Sequence, residues 1–404
     1  MSYKKNRFHI EGVPSEKIAK KFGTPTYCYS YKKLRENIIN FKKYFKSFRP
    51  MICFSVKSNS NVNLLKEIKK FGLGADVVSL GEIMKAQKAG INVNKIVFSG
   101  VGKTTKEINY AINKNIFLIN AESQSEIIEI ERIAKSQNKV VNIGIRLNPD
   151  TNPRTLKKIS TGKKENKFGV DEKTFIKLVD YIKRSDFINL KCLSVHIGSQ
   201  ILNHKPYEKM LKVLDRVIKK SKYKFEYIDL GGGMGIPYEK KLKKLDYNKY
   251  NFAINKFLKA HKSKIIFEPG RSIIGNTGFL ISKIIFIKDT KTKKFIIIDA
   301  GMNDFMRPAL YNAKHNIVPS VKKNIFSKIK YEFVGPICET TDKFSSFKKF
   351  QKLNEKDIVV ICDVGAYGVS LSSNYNVRPK PLELLIKGSK ILVIKRREKL
   401  EDII

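Results

Sequence analysis

The sequence predicts an α/β protein: a (β/α)8 TIM barrel followed by a second, mostly antiparallel β domain. Two patterns carry this reading. From about residue 50, eight short apolar runs alternate with amphipathic stretches; beyond Gly278, strand-like runs dominate and clear helices are few. A doubly wound sheet is the alternative, but no Gly-x-Gly-x-x-Gly follows the first run.

The eight runs cover residues 52–56, 75–78, 96–98, 116–119, 140–147, 190–197, 227–230 and 265–267. Most are rich in Val and Ile and lack polar alternation, as strands buried on both faces do. Between them lie predicted helices. Val62, Leu65, Ile68 and Phe71 share one helical face, as do Met210, Leu211, Leu214 and Val217. Ser79 with Glu82, and Ser123 with Glu126, have the spacing of capping boxes. The later runs, 279–287, 295–299, 331–334, 357–362 and 390–394, predict a β domain. The barrel is placed at 30–278 and the β domain at 279–404, completed by the segment 1–29.

The chain has 404 residues, and 42% are hydrophobic, enough for a real core. No run reaches the roughly 18 apolar residues of a membrane helix, and the first residues lack the apolar core of a secretory signal. Five scattered cysteines with no Cys-x-x-Cys pair fit a reduced, cytoplasmic setting, with neither a disulfide framework nor a metal site. The net charge is +43. A basic surface attracts nucleic acid, but the excess is spread along the whole chain and no nucleic-acid-binding motif accompanies it. Compositional drift toward Lys, Ile and Asn is the simpler reading.

Barrel enzymes carry their chemistry at the C-terminal ends of the strands. The unusual residues collect there. The first run leads into Phe54-Ser55-Val56-Lys57-Ser58-Asn59, where a lysine closing a buried strand would be desolvated and able to form a Schiff base. The alternative is one more surface lysine. The sixth leads into His196-Ile197-Gly198-Ser199-Gln200, a satisfied core histidine or a ring that stacks on a cofactor. The seventh runs through Asp229 and Leu230 into Gly231-Gly232-Gly233, and the eighth into Glu268-Pro269-Gly270-Arg271. Glycines after the seventh and eighth strands suit a phosphate, whereas Gly-Gly-Gly alone is only a turn. The β domain adds Arg307 with Tyr311, Gly335-Pro336-Ile337-Cys338-Glu339, and Gly365-Ala366-Tyr367-Gly368.

Together these motifs resemble fold-type III pyridoxal-phosphate (PLP) enzymes and, within them, the diaminopimelate decarboxylases, which make L-lysine from meso-diaminopimelate as the last step of lysine biosynthesis. The resemblance runs from Thr24-Pro25-Thr26-Tyr27 to Arg378-Pro379. It implies that Lys57 holds PLP covalently and that His196 stacks on its ring. Gly232, Gly233, Gly270, Arg271 and Tyr367 would surround the phosphate, and Glu268 would face the pyridine nitrogen. A carboxylate there favours decarboxylation over racemisation, since the related alanine racemases place an arginine at this point. Cys338 would act as general acid. Arg271, Arg307 and Tyr311 would hold the far carboxylate of a small amino-acid substrate, and Glu339 with Tyr367 its far ammonium. Cys338 and Glu339 would come from the partner copy of a homodimer. The first-strand motif departs slightly from the Tyr-Ala-Val-Lys-Ala-Asn common in relatives.

Three other readings remain. Decarboxylases of ornithine, arginine or lysine commonly show Cys-Asp where Cys338-Glu339 stands, and their substrates give Arg307 no carboxylate. A nucleic-acid-binding protein could borrow the barrel. A PLP carrier without turnover would not need Cys338 and Tyr367.

Overall fold

A computed structural model of the chain describes residues 2–153, 155, 157–163, 165–239 and 241–404, with Lys157 as backbone only. The chain divides into two compact units. One comprises Ile38–Ile236 and Lys243–Ser272; the other comprises Met1–Asn37, Pro237–Leu242 and Ile273–Ile404.

The first unit is a closed barrel of eight parallel strands: Met51–Ser55, Gly74–Val77, Ile96–Phe98, Leu118–Ala121, Val141–Arg146, Ile188–Ser194, Tyr227–Asp229 and Lys264–Phe267. Sequence neighbours pair, and the eighth strand closes on the first through Phe267 opposite Ile52. All eight predicted runs are strands, with ends displaced by a few residues. Cys53, Val97, Leu118, Cys192 and Ile266 pack into one apolar cluster, so the barrel is filled rather than hollow.

The helices between strands start where the sequence indicates. Ser79 caps Leu80–Lys88 and Ser123 caps Gln124–Ser136, each accepting from the N–H of the glutamate three residues on. The second half of each box differs from expectation. Glu82 accepts from the Val78 N–H and Glu126 from the Glu122 N–H, one residue before the cap. The full reciprocal box lies at Thr104 and Glu107, opening Thr105–Asn113. Helix Val62–Lys69 stops short of Phe71, whereas Lys205–Ser221 buries Met210, Leu211, Leu214 and Val217 as predicted.

The second unit is built on a nine-stranded, mostly antiparallel sheet. Its main path runs Lys343–Phe347, Lys330–Val334, Lys293–Ile298, Gly278–Asp289, Thr26–Ser30, Leu382–Lys387 and Lys390–Lys395; Ile358–Cys362 pairs with both Gly278–Asp289 and Ile317–Pro319. Two of its pairs are parallel: Lys293–Ile298 with Lys330–Val334, and Leu382–Lys387 with Thr26–Ser30. Strands Ser2–Lys4, Arg7–Ile10 and Val13–Pro14 form a small separate sheet. Phe8, Ile10, Cys28, Ile281, Val360 and Leu384 share one core. Among the described residues no helix is long and apolar enough to cross a membrane.

Candidate active site

The C-terminal ends of the barrel strands gather polar residues that are out of place in an apolar core. Lys57 does not close the first strand itself. It sits in the 3-10 turn Val56–Ser58 that follows Met51–Ser55. Nor is it simply desolvated: its side chain is 37% exposed, and Nζ donates to Oδ2 of the buried Asp76 at 2.9 Å. Asp76 stands on the second strand and also accepts from Ser55 Oγ at 2.7 Å. The pair fixes the amine at the barrel mouth.

His196 likewise lies two residues beyond the end of Ile188–Ser194. The Gly232 N–H donates to its Nδ1 at 3.1 Å, so Nε2 is the nitrogen that can carry a proton. Burial, then the charges of Arg146 and Lys57, push the imidazole well below its usual pKa, leaving it neutral. Backbone geometry requires the glycines beside it. A Cβ on Gly232 would lie 2.2 Å from the Glu268 carbonyl oxygen, and Gly233 has φ +86° with only 2.3 Å to the Gly198 carbonyl oxygen.

Glu268, which follows the eighth strand, is 7% exposed, and Asp229, which ends the seventh, is wholly buried. The two carboxyls are hydrogen-bonded to each other. Asp229 accepts from Asn120 Nδ2 at 2.9 Å, Ser194 Oγ at 3.3 Å and the Gly231 N–H at 2.9 Å. Glu268 accepts from Ser99 Oγ at 3.2 Å. Burial, then Asp229, raise Glu268 well above the usual carboxyl range. Burial raises Asp229 as well, but Asp229 accepts from three donors outside the pair and Glu268 from one, so Asp229 is the anion of the pair and Glu268 carries the proton. Gly270 packs against Ser58, and buried Arg271 opens helix Arg271–Ile274 with Nη2 donating to Ser199 Oγ at 3.1 Å.

Sequence reasoning did not single out Asp76, Asp229 as a partner of Glu268, or the buried pair of Arg146 and Glu122. Arg146 Nη1 lies 2.6 Å from Glu122 Oε1, and Glu122 Oε2 accepts from the Gly169 N–H. For Asp76, Asp229 and Arg146, an acid or a base inside an apolar run was the available signal; Glu122 lies beyond its run.

The β unit places its candidates on three segments. Arg307 begins and Tyr311 ends the short helix Arg307–Tyr311. Cys338 and Glu339 are exposed on the loop between Lys330–Val334 and Lys343–Phe347. Buried Asp342 holds this loop, accepting from the N–H groups of Ile337 and Met302 at 2.7 Å each. Glu339 Oε1 accepts from Tyr375 Oη at 2.8 Å. Tyr367 is half-buried with φ +55°, after strand Ile358–Cys362.

A family model described as the pyridoxal binding domain of pyridoxal-dependent decarboxylases matches residues 31–275. A diaminopimelate decarboxylase of Aquifex aeolicus is 38% identical over 408 residues, spanning 100% of this chain and 96% of that one. The crystal structure of the Helicobacter pylori diaminopimelate decarboxylase complexed with L-lysine matches with a TM-score of 0.92 at 40% identity, covering 96% of this chain and 98% of that one. The corresponding M. jannaschii enzyme, in co-complex with L-lysine, gives 0.94 at 36% identity, covering 100% and 96%.

Proposed function

From the premise that this chain belongs to the diaminopimelate decarboxylases, a family of pyridoxal-dependent enzymes, we propose that it removes one carboxyl group from meso-diaminopimelate, giving CO2 and L-lysine. The observation that carries this reading is the set at the barrel mouth: an amine held by Asp76, a neutral imidazole, a side-chain-free glycine turn and a proton-bearing carboxyl.

These residues fit PLP. Lys57 would hold it covalently, with Asp76 orienting the amine. His196 would present its ring face, and Gly232, Gly233, Gly270, Arg271 and Tyr367 would surround the phosphate. Bound PLP supplies an electron sink for the electron pair left when CO2 departs. Glu268 holds a carboxyl proton in a buried site, where it can be shared with a ring nitrogen, and the Asp229 anion keeps it there. Cys338 Sγ delivers the proton that replaces the lost carboxyl group. Arg271, Arg307 and Tyr311 grip the carboxylate that does not react; a guanidinium suits this through its paired donors. Glu339, with Tyr367, takes the far ammonium.

Residues 30–278 form the cofactor-binding domain, and residues 279–404 with 1–29 form the other. The working unit is a cytoplasmic homodimer in which Cys338 and Glu339 of each copy serve the site of the other.

The test is CO2 release from purified, PLP-loaded protein given meso-diaminopimelate, L-ornithine, L-arginine or L-lysine. Release from diaminopimelate alone, with L-lysine as product, is expected. Release from another basic amino acid would keep the cofactor and overturn the substrate.

A further inference from the structure

Arg307 is 4% exposed, and its guanidinium meets a histidine that no motif singled out. Arg307 Nη1 lies 2.8 Å from His315 Nε2, and His315 Nδ1 lies 2.9 Å from the carbonyl oxygen of Cys362, the last residue of Ile358–Cys362. These two partners fix the state of the ring. A guanidinium can only donate and a carbonyl can only accept. Nδ1 therefore carries the proton, and Nε2 offers its lone pair to Arg307. A doubly protonated ring would set donor against donor.

The imidazole is 3% exposed and meets two aromatic rings. Phe305 meets it edge-on with centroids 4.7 Å apart, and Tyr238 lies at 4.8 Å. Tyr238 also lies under the guanidinium, 4.5 Å from ring centroid to Cζ. The backbone is tied as well, since the His315 carbonyl accepts from Ser345 Oγ at 2.9 Å. Asp363, the neighbour of Cys362, is a carboxyl that burial raises to about 6 and that also feels Arg307. A carboxylate in the place of His315 would orient Arg307 and neutralise it at once. A neutral imidazole orients it and leaves its charge.

We propose that His315 is the positioning residue for Arg307, aiming the guanidinium at the non-reacting carboxylate of the substrate. This rests on the reading of Arg307 as the grip on that carboxylate.

The test uses PLP-loaded protein and two ligands: L-lysine, which keeps a carboxylate, and cadaverine, the same diamine without one. Binding of each is followed by calorimetric titration. The variants are His315→Asn, His315→Gln and Arg307→Ala. Asparagine can still donate to the Cys362 carbonyl but is too short to reach Arg307. Glutamine can place an acceptor oxygen near the position of Nε2. His315→Asn is expected to weaken L-lysine about tenfold while cadaverine stays within about twofold, and His315→Gln to recover most of the loss. Unchanged L-lysine affinity in His315→Asn would overturn the proposal. So would equal weakening of both ligands in both variants, which marks a merely structural histidine. Arg307→Ala separates the two readings. If it leaves the preference for L-lysine over cadaverine intact, the grip itself fails; if it removes that preference and His315→Asn does not, only the role of His315 fails.

Discussion

The two units hold their chemistry-bearing residues in different ways. In the barrel, charged side chains meet partners from neighbouring strand–helix units. Lys57 meets Asp76 and Arg146 meets Glu122. Lys103, its side chain wholly buried, meets Glu126 Oε1 at 2.6 Å together with the carbonyls of Gly100 and Asn120. In the β unit, Cys338 and Glu339 are exposed, and Asp342 holds only the backbone beside them. Strand ends in a closed sheet are fixed relative to one another, so barrel side chains are preset by their own fold. A reactive residue on a loop is placed by whatever packs on the loop. That contrast is what the proposed dimer would resolve.

Removing each kind of residue sharpens the contrast. The largest effect belongs to the barrel. Lys57→Ala is expected to abolish both CO2 release and the visible absorbance of bound PLP; a variant that kept the wild-type spectrum would sink the lysine assignment. Next comes the loop. Cys338→Ala should leave that absorbance intact and lower turnover about a hundredfold to ten-thousandfold, the usual worth of a positioned proton donor. Wild-type turnover in this variant would remove Cys338 from the proton transfer.

The same contrast governs what could be read from the sequence. The barrel was legible because each strand is a local apolar run, buried on both faces. The β unit was legible only in part. Lys343–Phe347 carries Ser345 and Ser346 among its aromatics, and Leu382–Lys387 is interrupted by Glu383. That glutamate is buried and accepts from Tyr29 Oη at 3.0 Å, on a strand from the other end of the chain. No local pattern announces such a bond. Lys57, Glu268 and the glycines stood in motifs, whereas Asp76 and His315 did not. Their roles come from partners that only the folded chain brings near, such as the Cys362 carbonyl beside His315.

The buried ion pair of the barrel shows how far its mouth is preset. The side chains of Arg146 and Glu122 are 9% and 3% exposed. Arg146→Met leaves a buried carboxylate without its cation, and unfolding measurements should show a loss of about 3–5 kcal/mol. Arg146→Met combined with Glu122→Leu should be less damaging than the single change, because the stranded charge is gone. Recovery should stay incomplete, since Glu122 also accepts from the Gly169 N–H. A single variant as stable as wild type would mean that the pair does not hold the barrel mouth.

The smallest expected effect lies in the β unit and depends on pH. Asp304 precedes helix Arg307–Tyr311 and is 2% exposed, accepting from the Gly301 N–H at 2.9 Å. Burial pushes its carboxyl up to about 7, against the pull of that N–H and of Arg378. A raised carboxyl favours the fold while protonated. Its contribution is fully present below the ordinary aspartate range and is lost as pH rises through about 7. Asp304→Asn, neutral at every pH, lacks this loss and can still accept from Gly301. The melting temperature of the variant relative to wild type should therefore climb between pH 5 and pH 8.5. The full shift corresponds to about 4 kcal/mol, and relaxation around the buried charge should reduce what is observed to about 2 kcal/mol. A difference that stays flat across this range would show that Asp304 is ionised throughout. The β unit would then hold its buried carboxylate as firmly as the barrel holds Asp76.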